Sequence, residues 1–208
     1  IKKLEIDQCL FAENSCFSHG IITLQNAGNS TFKNTNFTFN TAKAISSSLS
    51  LSSIREKSIL SYVHFYENEI EVGTALYAEK CDVIVDYARF CKNKFLSGSS
   101  SIKFVESSSI VQHSAFLNEE GPSISVANNC CVNVSYCNFS LVRKESLLSN
   151  GNNNKIRIDV NSLFKTNSDY NSIKLEVIKN PKTEVILKWR QFDDDDDDND
   201  NDNVLVNK

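Results

Sequence analysis

The string Leu60-Ser61-Tyr62-Val63-His64-Phe65-Tyr66-Glu67-Asn68 returns 25 residues later as Val85-Asp86-Tyr87-Ala88-Arg89-Phe90-Cys91-Lys92-Asn93. Both copies hold Tyr, Phe and Asn at the same places, behind an apolar residue at the head. Working outward, the Phe recurs at Phe11, Phe37, Phe65, Phe90, Phe116 and Phe139, and Phe164 extends the series. The gaps are 26, 28, 25, 26, 23 and 25 residues. Five copies read F-x-x-N: Phe11/Asn14, Phe37/Asn40, Phe65/Asn68, Phe90/Asn93 and Phe164/Asn167. A repeat of this length is the signature of a solenoid, in which one supersecondary unit stacks on the next.

Aligned on the Phe, the repeat shows which positions face inward. Five residues earlier stand Ile6, Phe32, Leu60, Val85, Val111 and Val134, all apolar. Two residues earlier stand Cys9, Thr35, Val63, Ala88, Ser114 and Cys137, all small or medium. Four residues earlier stand Asp7, Lys33, Ser61, Asp86, Gln112 and Ser135, all polar. A strand alternates strictly, so an inward step of three residues marks a corner between two short strands. A second apolar run follows each Phe: Ile21–Leu24, Ala44–Ile45, Thr74–Tyr77, Ser101–Phe104 and Ser123–Val126. No helical period is present, and β-branched and aromatic residues dominate the runs. Each unit therefore reads as strand, corner, short strand, turn and third strand. Seven such coils, stacked at about 4.8 Å, span roughly 29 Å. The predicted fold is all-β, a single right-handed parallel β-helix over residues 1–192. In it the Phe column forms an internal stack and the Asn column a ladder at a turn.

These residues resemble the repeats of right-handed parallel β-helix proteins, in particular the chlamydial-type polymorphic outer-membrane protein repeat. That repeat alternates F-x-x-N with G-G-A-[ILV]. Its N-C-x-F flavour returns here as Gln8-Cys9-Leu10-Phe11 and Tyr136-Cys137-Asn138-Phe139, and its second motif is closest at Gly73-Thr74-Ala75-Leu76. Degenerate repeats of the same kind occur in large surface proteins of protists. The resemblance covers about residues 1–167 and implies an adhesin or a surface spacer.

Charge divides the chain. Eight of its 26 acidic residues crowd into the run from Asp193 to Asp202, so the body carries 18 acids against 22 bases. The body is mildly basic, and residues 193–208 are expected to form a disordered, self-repelling acidic tail. Ile173–Val177 and Val185–Trp189 alternate as strands and read as the last coil with a cap, Trp189 covering the open end of the core. No apolar stretch approaches a membrane span, so membrane association is expected only through sequence outside this chain. Because it opens at Ile1 and contains no Met, the chain is expected to be a fragment or a processed form.

The chemistry-bearing residues favour binding over catalysis. Tyr62, Tyr87 and Tyr136 share a column three residues before the Phe, together with Gln8, Asn34 and His113. With Asp86 and Arg89 they form the candidate contact face for a protein or a glycan; no nucleic-acid partner and no cofactor is expected. The stripe also reads as rings packing at a corner. The enzymatic alternative, a carbohydrate-active lyase or hydrolase, rests on Asp82, Asp86 and Arg89 in the fourth coil. In Asp86's column the adjacent coils supply Ser61 and Gln112, so no second carboxylate stacks there for acid–base work. His19, His64 and His113 fall in different columns of alternate coils and do not suit one metal. The seven cysteines avoid adjacent coils, which leaves only pairs within a coil, such as Cys81/Cys91, as possible disulfides. Four N-x-[ST] sequons, at Asn29, Asn36, Asn133 and Asn138, permit an extracellular location without requiring it. The sequence thus points to a non-enzymatic surface or secreted module, with an intracellular, cytoplasmic scaffold as the further alternative.

Overall fold

In a computed structural model the chain is a parallel β-solenoid. The structure describes residues 2–95, 100–117, 121–141, 146–151 and 153–164, and the backbone of 174–179, 185–190 and 205–206. Three parallel sheets run along the stack. The first holds seven rungs, Lys3–Asp7, Asn29–Lys33, Ser58–Ser61, Val83–Asp86, Ser108–Gln112, Cys131–Ser135 and Lys155–Ile158. The second also holds seven, from Leu10–Ala12 through Asn36–Thr38, His64–Tyr66, Arg89–Cys91, Ala115–Leu117 and Asn138–Phe139 to Leu163–Phe164. The third starts with Ser15–Cys16 and His19–Gln25 and runs through Thr41–Ser52, Glu69–Glu79 and Ser100–Val105 to Ile124–Ala127 and Leu147–Asn150. Seven rungs bound about six full turns. Among the described residues no helix is long and apolar enough to cross a membrane.

Three corners close each turn, and one residue at each corner explains the inward pattern. Gln8, Asn34, Tyr62, Tyr87, His113 and Tyr136 all have φ between 48° and 56°. The second corner uses Glu13, Phe39, Glu67 and Lys92, and the third Asn26, Ser53, Lys80 and Glu106, again with positive φ. A left-handed residue turns the chain sharply and inverts the strand's alternation, so the side chain after it points inward. The conformation costs roughly 1–2 kcal/mol for an L residue. Hydrogen bonding offsets that cost: each first-corner N–H still donates to the rung above, as from Tyr62 to the Asp86 carbonyl at 3.1 Å. The ladder therefore continues around the bend.

Register then places like on like. Ile6, Phe32, Leu60, Val85, Val111 and Val134 pair in sequence, and Ile158 completes the column. Ile158 lies six residues before Phe164 rather than five, so the last corner is one residue longer. Asp159 Oδ1 and Ser162 Oγ fill that corner, accepting from the N–H groups of Tyr136 and Cys137. The seven Phe rings stack with centroids 4.5–5.1 Å apart and planes within 17°. Asn14, Asn40, Asn68 and Asn93 form an amide ladder that is buried from Asn40 onward. Asn40 Nδ2 donates to Asn68 Oδ1 at 3.0 Å and to the Phe11 carbonyl at 2.9 Å, and Asn68 repeats the pattern with Asn93 and Phe37. The Oδ1 atoms of Asn40, Asn68 and Asn93 also accept the backbone N–H of the Asn in the previous rung. Both ends of the Asn40 and Asn68 amides are used, so their burial leaves nothing orphaned.

Three expectations change. The third-sheet core residues of the second coil are Leu49 and Leu51, which pair with Ile22 and Leu24; Ala44–Ile45 lies earlier in the same strand. The 28-residue coil takes up one extra residue at a register shift between Ile70 and Val72 and two more at the corner between Ser52 and Ser58, where the pairing offset falls from 27 at Ser52/Glu79 to 25 at Ser58/Val83. Lys174–Lys179 and Val185–Arg190 do not continue the parallel stack, because they pair antiparallel with each other. Leu205–Val206 adds to that sheet, and the rest of the expected acidic tail lies outside the described residues, as do Asn167 and the Trp189 side chain. No disulfide joins the cysteines among the described residues, so the Cys81/Cys91 pairing is not made. Burial pushes the Cys81 and Cys137 thiols up to about 12, which makes them inert core groups.

Loss of one ring should be felt most in mid-stack. Phe65→Ala is expected to cost about 3–5 kcal/mol in urea unfolding. Phe11→Ala, in the half-buried first rung, should cost clearly less.

Candidate functional site

The second sheet's outer face carries the candidate site. Its strands are only two or three residues long, with the Phe pointing in and its two neighbours pointing out. The outward column before the Phe runs Leu10, Asn36, His64, Arg89, Ala115, Asn138 and Leu163 in register. The column after it runs Ala12, Thr38, Tyr66, Cys91 and Leu117. Over the second to fourth rungs these side chains line a shallow groove of about 270 Å³, whose polar lining is Asn36, Thr38, His64, Tyr66 and Arg89. Among the described residues no carboxylate lines it. Arg89 is exposed and makes no ion pair among the described residues. Burial, and behind it the Arg89 charge, holds the His64 imidazole below its ordinary pKa of 6.5.

Two corner ridges flank this face. On one side Tyr62, Tyr87, His113 and Tyr136 stack ring on ring, with centroids 5.0, 4.7 and 5.2 Å apart. The tyrosines are about half exposed. Their faces are turned to one another, so the column offers ring edges and phenol hydroxyls to solvent rather than an open aromatic platform. Asp86 Oδ1 lies 2.9 Å from His113 Nδ1, where the imidazole donates to it. On the other side Lys92 Nζ sits 3.3 Å from Glu67 Oε1 and 5.6 Å above the Tyr66 ring. Phe39 meets the same ring edge-on at 5.7 Å. The hydrogen bond from Tyr66, ahead of the Lys92 charge, holds the Glu67 carboxyl below its ordinary pKa.

The fourth-coil cluster does not converge. Asp82 accepts the Ser108 N–H at 3.1 Å, Asp86 turns to His113, and Arg89 lies past the Tyr87 corner on another sheet. Asp86 has Ser61 and Gln112 as its register partners. Among the described residues no group of three or more His, Cys, Asp or Glu could hold a metal ion. Sequence reasoning places Arg89 and Tyr87 in the contact face but misses His64, Tyr66, Thr38 and Asn36 as their neighbours. Their signal lies in the columns immediately before and after the Phe, which go outward once the Phe is inward. No family model matches the chain, and no curated protein or solved structure matches it.

The depressed His64 pKa sets a sign for stability. In the unfolded chain His64 takes up its proton more readily, so this residue's contribution is intact above about pH 6.5 and is lost as pH falls below it. His64→Asn should lose less stability between neutral and mildly acidic pH than the parent, measured by urea midpoints at each pH.

Proposed function

We propose that this chain is a non-enzymatic surface or secreted module, a rigid spacer that binds a protein or a glycan through its second-sheet face. The observation that carries the reading is Arg89: an exposed guanidinium, without an ion pair among the described residues, on the floor of a groove whose described lining holds no acid. A charge left unpaired on a rigid, ridged face is suited to a partner's charge, since Arg recognises planar acceptors through a fixed fork of donors. Stiffness supports the spacer role. Every second-sheet rung is tied to its neighbours by backbone bonds and the ring stack, and the first four also by the amide ladder, as expected of a one-dimensional array. The phased F-x-x-N repeat, with its likeness to polymorphic outer-membrane protein repeats, supports placing the module at a cell surface or outside the cell.

Binding to arrayed glycans and extracellular proteins tests the reading. The parent chain should retain a partner, and Arg89→Ala should weaken that binding by at least about tenfold while leaving the melting temperature unchanged. Binding that is insensitive to Arg89, or no partner at all, would rule out the second-sheet face.

A further inference from the structure

We propose that the groove over the second to fourth rungs is an anion site for an acidic glycan, one bearing carboxylate or sulfate groups, and that binding it loads a proton onto His64. This rests on the binding-face reading above and names its ligand class.

Geometry comes first. Asn36, His64 and Arg89 are register partners on three consecutive rungs, so an amide, an imidazole and a guanidinium follow one another at about 4.8 Å. The neighbouring column adds the hydroxyl of Thr38, while the Tyr66 hydroxyl is already held by Glu67 and Lys92. The acids on the two flanking corners are already committed. Glu67 is paired with Lys92 at 3.3 Å, and Asp86 accepts from His113 around the corner at 2.9 Å. An oxyanion between His64 and Arg89 thus meets donors and, among the described residues, no competing acid in the groove. Its charge removes the repulsion that Arg89 exerts on an imidazolium, so the bound state favours the protonated ring. Bound anion and bound proton then strengthen each other, as linkage requires.

The form of the ligand follows from what the face lacks. The backbones of His64–Tyr66 and Arg89–Cys91 are paired on both sides, so a peptide strand finds no free edge to join. Recognition must run through side chains. Amide and hydroxyl groups that both donate and accept, beside a cationic fork, match a polyhydroxylated chain with anionic substituents.

Isothermal titration of the whole chain tests this, at about pH 5.5 and about pH 7.5 and in buffers of different ionisation enthalpy. The probes are a linear uronate oligosaccharide, a sulfated one, the uronate with its carboxyls reduced to alcohols, and oligo-glutamate. An acidic oligosaccharide should bind at least about tenfold more tightly than the reduced one, and more tightly at the lower pH, by at most about tenfold per pH unit for one proton. Arg89→Ala should abolish that preference and Arg89→Lys restore part of it. His64→Gln should lose both the pH dependence and the proton uptake, whatever affinity remains. Equal binding of reduced and acidic oligosaccharides, sensitive to Arg89, would overturn the anion site and leave the binding face standing. Equal or tighter binding of oligo-glutamate would overturn the glycan. Absence of binding by every probe would overturn the anion site, while a partner found on the arrays would still uphold the face.

Discussion

Parallel, in-register stacking of each rung on the next is the constraint from which the other features follow. It puts Phe on Phe and Asn on Asn at one strand spacing, so a side chain that fits its own copy fits along the whole column. Flat rings satisfy this by offset stacking, with about 0.5–1.5 kcal/mol per pair beyond the area they bury. Amides satisfy it because a carboxamide carries both a donor and an acceptor, and Asn40 and Asn68 use both ends. Other side chains of that size fail one half of the test. A carboxylate would lack the donor, and an aliphatic chain would orphan the backbone N–H and carbonyl groups that the amide now serves.

The corners show how stacking is reconciled with turning. A chain that bends three times per coil while keeping its hydrogen-bond ladder does so here with a left-handed residue at most described bends, the Asp159–Ser162 corner using side-chain acceptors instead. This chain places tyrosines and a histidine at several of them, not glycines. The local cost is offset by column effects: at the first corner the rings stack on their copies in neighbouring coils, and the corner N–H groups stay bonded. The same stacking limits what the tyrosines can offer a ligand. It moves the open chemistry from the ridge to the floor beside it, where Arg89 and His64 lie.

Much of the fold is legible because the repeat reports on itself. The apolar column at Ile6, Phe32 and Leu60, the small column at Val63 and Ala88, and the Phe phasing all mark inward positions through composition alone. The second coil misleads because its extra residues shift which apolar pair, Ala44–Ile45 or Leu49 and Leu51, falls on the core. Only pairing with the neighbouring rungs resolves that. Residues after Phe164 mislead for a related reason. Alternation in Ile173–Val177 and Val185–Trp189 identifies strands but carries no information on whether a neighbour runs parallel or antiparallel. The site is half legible. Asp86 and Arg89 are three residues apart in sequence, yet a left-handed corner stands between them and sends them to different sheets. His64 and Arg89, 25 residues apart, are neighbours.

Backbone nuclear Overhauser effects on a uniformly labelled chain test the stacking most directly. Parallel-strand contacts should link Phe37 to Phe65, Phe65 to Phe90 and Phe90 to Phe116, at sequence separations of 28, 25 and 26 residues. Antiparallel contacts at these residues, or a register displaced by even one residue, would contradict in-register stacking.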